Sequence, residues 1–168
     1  LHYPLRRQRQ MCIRDRFHGL LEQHAGVYVV QVSFSLIGDL NQDAFESAWK
    51  QLIHRHDPLR TAFVWEQVDQ PLQVVGKKAT LTIDKLDWES KNIEKDRFKN
   101  PETIPDYQEW LSIDRMREFN FSSAPLMRVT QFRIAEDHHR VVWTYHHLLL
   151  DGWSLPLLLK EIMLLNYH

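Results

Sequence analysis

The spacing of apolar and polar positions changes several times along this chain, and each change predicts an element. Val27-Tyr-Val-Val-Gln-Val-Ser-Phe-Ser-Leu-Ile37 is rich in β-branched and aromatic residues and closes at Gly38-Asp39, which predicts a long strand. From Gln42 to Ile53 the pattern shifts. Ala44, Phe45, Ala48, Trp49, Leu52 and Ile53 recur at i, i+3/i+4, the stripe of a helix with one buried face, and Asn41 suits its N-cap. Pro58 stops that helix, and Arg60 to Trp65 reads as a strand. Pro71 to Val75 and Thr80 to Trp88 suggest two short strands. Residues 89–106 mix charges of both signs around Pro101 and Pro105, a solvated helix and loop. Helical spacing returns from Tyr107 to Phe119 through Trp110, Leu111, Asp114, Met116 and Arg117. Leu126 to Ile134 reads as a strand, Glu136-Asp137-His138-His139 as a polar turn, and Arg140 to His146 as the hairpin partner. An apolar helix from Ser154 to about Asn166 ends the chain, and composition supports another over 12–23.

The expected core draws on Val30, Val32, Phe34, Phe45, Trp49, Leu52, Phe63, Val129, Val142 and Leu158. With 168 residues, 43% apolar and 26% charged, the chain has the size and make-up of one globular domain. Its net charge of −1 offers no bulk attraction to nucleic acid or an anionic membrane. The single cysteine, Cys12, excludes an intrachain disulfide framework and a cysteine-based zinc site. No run approaches a membrane span and the first residues lack the apolar core of a signal peptide, so the expectation is a soluble cytoplasmic protein. Residues 1–16 stand apart. Arg6 to Arg16 carries five arginines in eleven residues, and Met11-Cys-Ile-Arg-Asp-Arg16 resembles a translated sequencing adapter more than a basic binding patch.

Candidate chemistry gathers at Tyr145-His146-His147-Leu148-Leu149-Leu150-Asp151-Gly152-Trp153-Ser154, between the last predicted strand and the last helix. Side chains alternate across a strand, so His146 and His147 point to opposite faces, which argues against a metal site built from the pair. One can serve chemistry while the other packs. Asp151 falls where the chain turns. Gly152 suits a special backbone conformation or a close approach. Ser154 is placed to cap the helix, and Pro156 is tolerated in its first turn. His138 and His139 are explained better by a polar hairpin tip than by a metal. There is no nucleophile elbow, Gly-rich phosphate loop or HExxH.

His146-His147-Leu-Leu-Leu-Asp151-Gly152 resembles the HHxxxDG motif of the condensation domains of nonribosomal peptide synthetases, in a superfamily with chloramphenicol acetyltransferase. Trp153-Ser154 is similar to the condensation branch in particular. Arg55-His56-Asp57-Pro58-Leu59-Arg60-Thr61-Ala62-Phe63 resembles the family's RHxxLRTxF motif, and Phe119 to Arg128 its FDLxxxPLxR segment, with Asn120 preceding Phe121. Three motifs in family order cover about residues 17–168.

The resemblance implies an α+β fold like half of chloramphenicol acetyltransferase, a mixed β-sheet with packed helices. It implies an acyltransferase-type enzyme that forms an amide between a carrier-bound acyl or peptidyl thioester and a carrier-bound aminoacyl amine. His147 would be catalytic, as general base or hydrogen-bonding positioner. His146, Asp151, Gly152 and Arg60 would support the site, with an Arg60–Asp151 ion pair. Trp153 and Ser154 are candidates for the substrate channel, though Trp153 would equally serve in packing. No cofactor or metal would be bound by this chain, because phosphopantetheine is presented by partner carrier proteins. The other partners implied are adenylation domains and a C-terminal lobe. Residues 17–168 match the N-terminal lobe only, so the expectation is that the chain alone is inactive. The alternatives are a lobe of another CoA- or carrier-dependent acyltransferase, or a non-catalytic carrier-binding module.

Overall fold

Strand and helix periods sort this chain onto the two faces of one mixed sheet. The computed structural model describes residues 28–91 and 93–166. The arginine-rich segment 6–16 and the helix predicted over 12–23 lie outside the described residues.

The strands are β1 (Val29–Ile37), β2 (Thr61–Val64), β3 (Leu72–Val75), β4 (Ile83–Asp87), β5 (Met127–Ala135) and β6 (His138–His146). The helices are α1 (Gln42–Arg55), α2 (Pro105–Met116) and α3 (Ser154–Asn166). Four strands form a sheet in the order β1-β6-β5-β4, while β2 and β3 pair separately as an antiparallel hairpin. β6 is antiparallel to both neighbours, with Val29 opposite His146 and Met127 opposite Tyr145. β4 runs parallel to β5, which makes the sheet mixed as expected. All nine residues of β6 are buried, because it is a central strand covered on both faces.

Alternation along β6 divides the molecule. Val141, Trp143 and Tyr145 face α1 and α3, in a core with Phe45, Trp49, Leu52, Leu158 and Ile162. The Trp49 and Trp143 rings meet edge to face, 5.2 Å between centroids. Asn41 caps α1 as predicted, its Oδ1 accepting from Ala44 N–H at 3.0 Å. On the other face Val142 joins Trp88, Phe98, Ile104, Tyr107, Phe132 and Ile134. Val142 therefore belongs to a second core. Val30, Val32 and Phe34 are partly buried because β1 sits at the sheet's edge among the described strands.

Two expectations need correction. The region 89–106 is a series of 3-10 turns (Glu89–Lys91, Lys95–Lys99 and Pro101–Thr103), and it is not wholly solvated. Phe98 and Ile104 go under it into the second core, where tight turns let one residue in several reach inward while the charges stay out. His138 and His139 are not the hairpin tip. The tip is Glu136-Asp137, and both histidines are buried β6 residues. The β1–β6 ladder extends to Ile37 opposite His138, which draws them into the sheet.

The second face is also polar. Asp114, 2% exposed, accepts from Arg128 Nε (2.6 Å), Gln31 Nε2 (2.8 Å) and Thr144 Oγ1 (2.6 Å). One carboxylate thus ties α2 to β1, β5 and β6. Buried Arg140 donates to Ser33 Oγ (2.7 Å), Ser35 Oγ (3.2 Å) and Tyr107 Oη (3.4 Å). Among the described residues no helix is long and apolar enough to cross a membrane.

Candidate active site

The site starts where β6 leaves the sheet. His146 N–H donates to Leu126 O at 3.0 Å, and His147 N–H to Tyr28 O at 2.8 Å, so the ladder holds both histidine backbones. Leu149 N–H then turns back to His146 O at 2.9 Å.

His146 is enclosed. It is 5% exposed, with the Phe121 ring 4.9 Å and the Phe119 ring 6.4 Å from its centroid. Its Nδ1 accepts from Leu148 N–H at 3.2 Å, which requires that nitrogen to be unprotonated. Burial pushes its pKa down to about 4, and the neighbouring His147 adds to the shift. A ring that is neutral, packed and already accepting a backbone bond is a scaffold.

His147 differs. It is half-buried, and its Nδ1 is buried without a hydrogen-bond partner. The ring can therefore meet a second molecule only through Nε2.

Asp151 starts α3. Its Oδ1 accepts from Ser154 N–H (2.8 Å) and from Ser154 Oγ–H (2.7 Å). The cap expected of Ser154 is supplied by Asp151, and Ser154 is the residue capped. A short acid side chain, placed three residues ahead, reaches the unsatisfied N–H groups of the first turn. Pro156 sits in that first turn as predicted.

The Arg60–Asp151 ion pair is not formed among the described residues. Arg60 Nε donates to Ile53 O at 3.1 Å, and its terminal nitrogens donate to Gly76 O and the Asp57 carboxylate. The reason is local. The turn at Pro58 folds Arg60 back under the C-terminus of α1, where carbonyls lack intrahelical donors and the helix end is electronegative. Arg60 thus joins α1 to the β2–β3 hairpin and does not reach the histidine loop.

Gly152 does not take the left-handed conformation, and no segment among the described residues crowds it, since a Cβ built there would meet nothing within 4 Å. Trp153 is 89% exposed, so within the described residues it does not pack.

Two polar contacts were not predicted from sequence, one around Glu161 and one around Asp114. Arg55 Nη1 and His56 Nε2 both bond Glu161 of α3, at 2.6 and 2.7 Å. Burial alone would raise the Glu161 carboxyl, but hydrogen bonds from His56 and Arg55 outweigh it and hold the group below its usual value. Asp114 carried a visible signal, since it extends the Tyr107, Trp110, Leu111 stripe by i+3 and so falls on a buried face.

The described residues hold no group of three His, Cys, Asp or Glu side chains arranged to take a metal.

Comparison with known proteins places these features in a family. The profile of the Condensation domain matches residues 3–167. A component of linear gramicidin synthase from Brevibacillus parabrevis is 43% identical over 145 residues, covering 86% of this chain and 2% of that protein. Tyrocidine synthase 2 of the same organism is 33% identical over 147 residues, covering 88% of this chain and 4% of that protein. Among solved structures, the starter condensation domain of rhizomide synthetase RzmA superposes with a TM-score of 0.74 at 21% identity, over 91% of this chain and 35% of that one. That likeness establishes the fold. The chain spans a small part of the length of these relatives.

Proposed function

The chain belongs to the condensation-domain family, and on that premise we propose that residues 17–168 form the N-terminal lobe of a domain that makes amide bonds between two carrier-bound substrates. The donor is an acyl or peptidyl thioester and the acceptor an aminoacyl thioester, each on the phosphopantetheine arm of a carrier protein. Adenylation domains load those carriers, and the work takes place in the cytoplasm. The acceptor amine attacks the thioester carbonyl carbon, and a C–N bond forms as the oxygen becomes an oxyanion. The amine gives up a proton, the C–S bond breaks, and the freed thiolate is protonated. Because the thioester is already activated, the reaction needs placement and charge management more than a new nucleophile.

One observation supports His147 as the residue that meets the substrates. Of two adjacent histidines fixed by the same ladder, His147 has an Nδ1 with no hydrogen-bond partner among the described residues, while His146 is packed and its Nδ1 is bonded. The Nε2 of His147 would hold the amine by a hydrogen bond or take its proton. Asp151 and His146 act on the loop and not on substrate. Gly152 and Trp153 are open on the surface of this lobe, which suits a channel wall approached from outside it. A second lobe would supply the facing wall, and this lobe alone is expected to be inactive.

The test is an amide-forming assay with two loaded carrier proteins, using a full condensation domain that carries this sequence. His147→Ala should lower condensation by about 100-fold or more while carrier binding persists. Unchanged condensation would favour a non-catalytic carrier-binding module.

A further inference from the structure

The RHxxLRTxF-like stretch contains two residues that the proposed reaction leaves without a role, Arg55 and His56. They lie at and just past the C-terminal end of α1, and both reach one residue of another helix. Arg55 Nη1 stands 2.6 Å from Glu161 Oε1 and His56 Nε2 2.7 Å from Glu161 Oε2. Each carboxylate oxygen has its own partner. The Glu161 side chain is 21% exposed and His56 35%, so the His56 bond is partly sheltered, while Arg55, 58% exposed, reaches it from the surface.

Glu161 stands on α3, the helix that Asp151 initiates directly after the His147 loop. That loop is short and held at both ends, by the β1–β6 ladder at His147 and by α3 at Ser154. Any shift of α3 along its axis is therefore passed to the loop. The apolar contacts of α3, through Leu158 and Ile162, resist separation from the core. They resist sliding and rotation less, because apolar attraction is non-directional. A carboxylate bonded at both oxygens is directional and sets where the helix stops.

We infer that Glu161, clamped by Arg55 and His56, is a positioning residue that fixes α3 and thereby the placement of His147. This rests on the reading of His147 as the residue that meets the substrates. Glu161 touches no substrate. Its effect belongs in kcat, since a small misplacement of the reacting group slows the chemical step without changing how carriers dock.

The experiment uses the same full condensation domain with both carriers loaded. Glu161→Ala should lower kcat about tenfold with KM for either carrier unchanged. Glu161→Gln, which keeps the shape and one acceptor but loses the charge, should fall between Ala and wild type. Exchanging the pair, Arg55→Glu with Glu161→Arg, should restore kcat to within about threefold of wild type, as expected for a direct interaction. Wild-type kcat in Glu161→Ala and Glu161→Gln, alongside an inactive His147→Ala, would overturn the clamp and leave the site reading intact. An active His147→Ala would instead overturn the site reading. Should Glu161→Ala fail to fold, Glu161→Gln and the exchanged pair decide. A kcat per folded molecule equal to wild type in both Glu161→Gln and either single charge variant would also overturn it.

Discussion

The two faces of the central sheet are buried by different means. Against α1 and α3 the core is apolar, built on Trp49, Trp143, Phe45 and Leu52. The indole N–H groups of Trp49 and Trp143 are buried without a hydrogen-bond partner among the described residues. Against α2 the face carries a polar network in which Asp114 has three side-chain donors and Arg140 has three hydroxyl partners. The first face tolerates small polar defects because it is held by area, and the second tolerates none because each group depends on its partner. His146 and His147 stand where β6 leaves the sheet, one enclosed and bonded, the other with an Nδ1 that has no hydrogen-bond partner among the described residues.

The largest expected effect that tests this contrast is on the polar face. Asp114→Ala leaves the partly buried Arg128 guanidinium without its carboxylate, and should destabilise the protein by about 3 kcal/mol. Urea unfolding measures it, and a loss under about 1 kcal/mol would mean that the network is ornamental.

A second test is the pH dependence of His146. Its folded pKa is about 4, against about 6.5 in an unfolded chain. Between those values the unfolded state binds more protons, so stability should be full above neutral pH and fall as pH drops from about 6.5 to about 4. Burial lowers His139 as well, so it contributes a slope of the same sign. His146→Leu should flatten the urea-midpoint profile in that window without abolishing the slope. An unchanged profile would show that His146 is not held neutral.

On the apolar face, Trp143→Phe should cost only about 1 kcal/mol, because it removes an N–H that has no partner to lose and keeps most of the buried ring. A cost above about 3 kcal/mol, close to that of a large-to-small change, would contradict the distinction between the faces. The smallest effect belongs to the surface. Glu46 pairs with Lys85 and Lys50 at the solvent edge, and Glu46→Ala should leave the urea midpoint unchanged.

Much of this was legible without coordinates, and for particular reasons. The α1 stripe, the Asn41 cap and the β5–β6 hairpin follow from period and turn chemistry, which are local. The different surroundings of His146 and His147, one buried and one half-buried, are what alternation at a strand end leads one to expect. Asp114 was half visible, since its place in a helical stripe signals burial but says nothing of who pairs with it. The region after Trp88 was misleading because charge dominates its composition while Phe98 and Ile104 do its packing.

By itself the sequence determined the family, the order of the elements, and the strand-to-turn placement of the two histidines, because periodicity and motif spacing are properties of neighbouring residues. Only the tertiary structure decided which charges meet. Arg60 went to the carbonyls at the end of α1 and to the β2–β3 hairpin instead of Asp151, Asp151 served to cap α3, and Glu161 was gripped by Arg55 and His56 from 105 or more positions away. A long side chain can reach several acceptors, and which one it meets depends on how helices and strands pack, which no local pattern encodes.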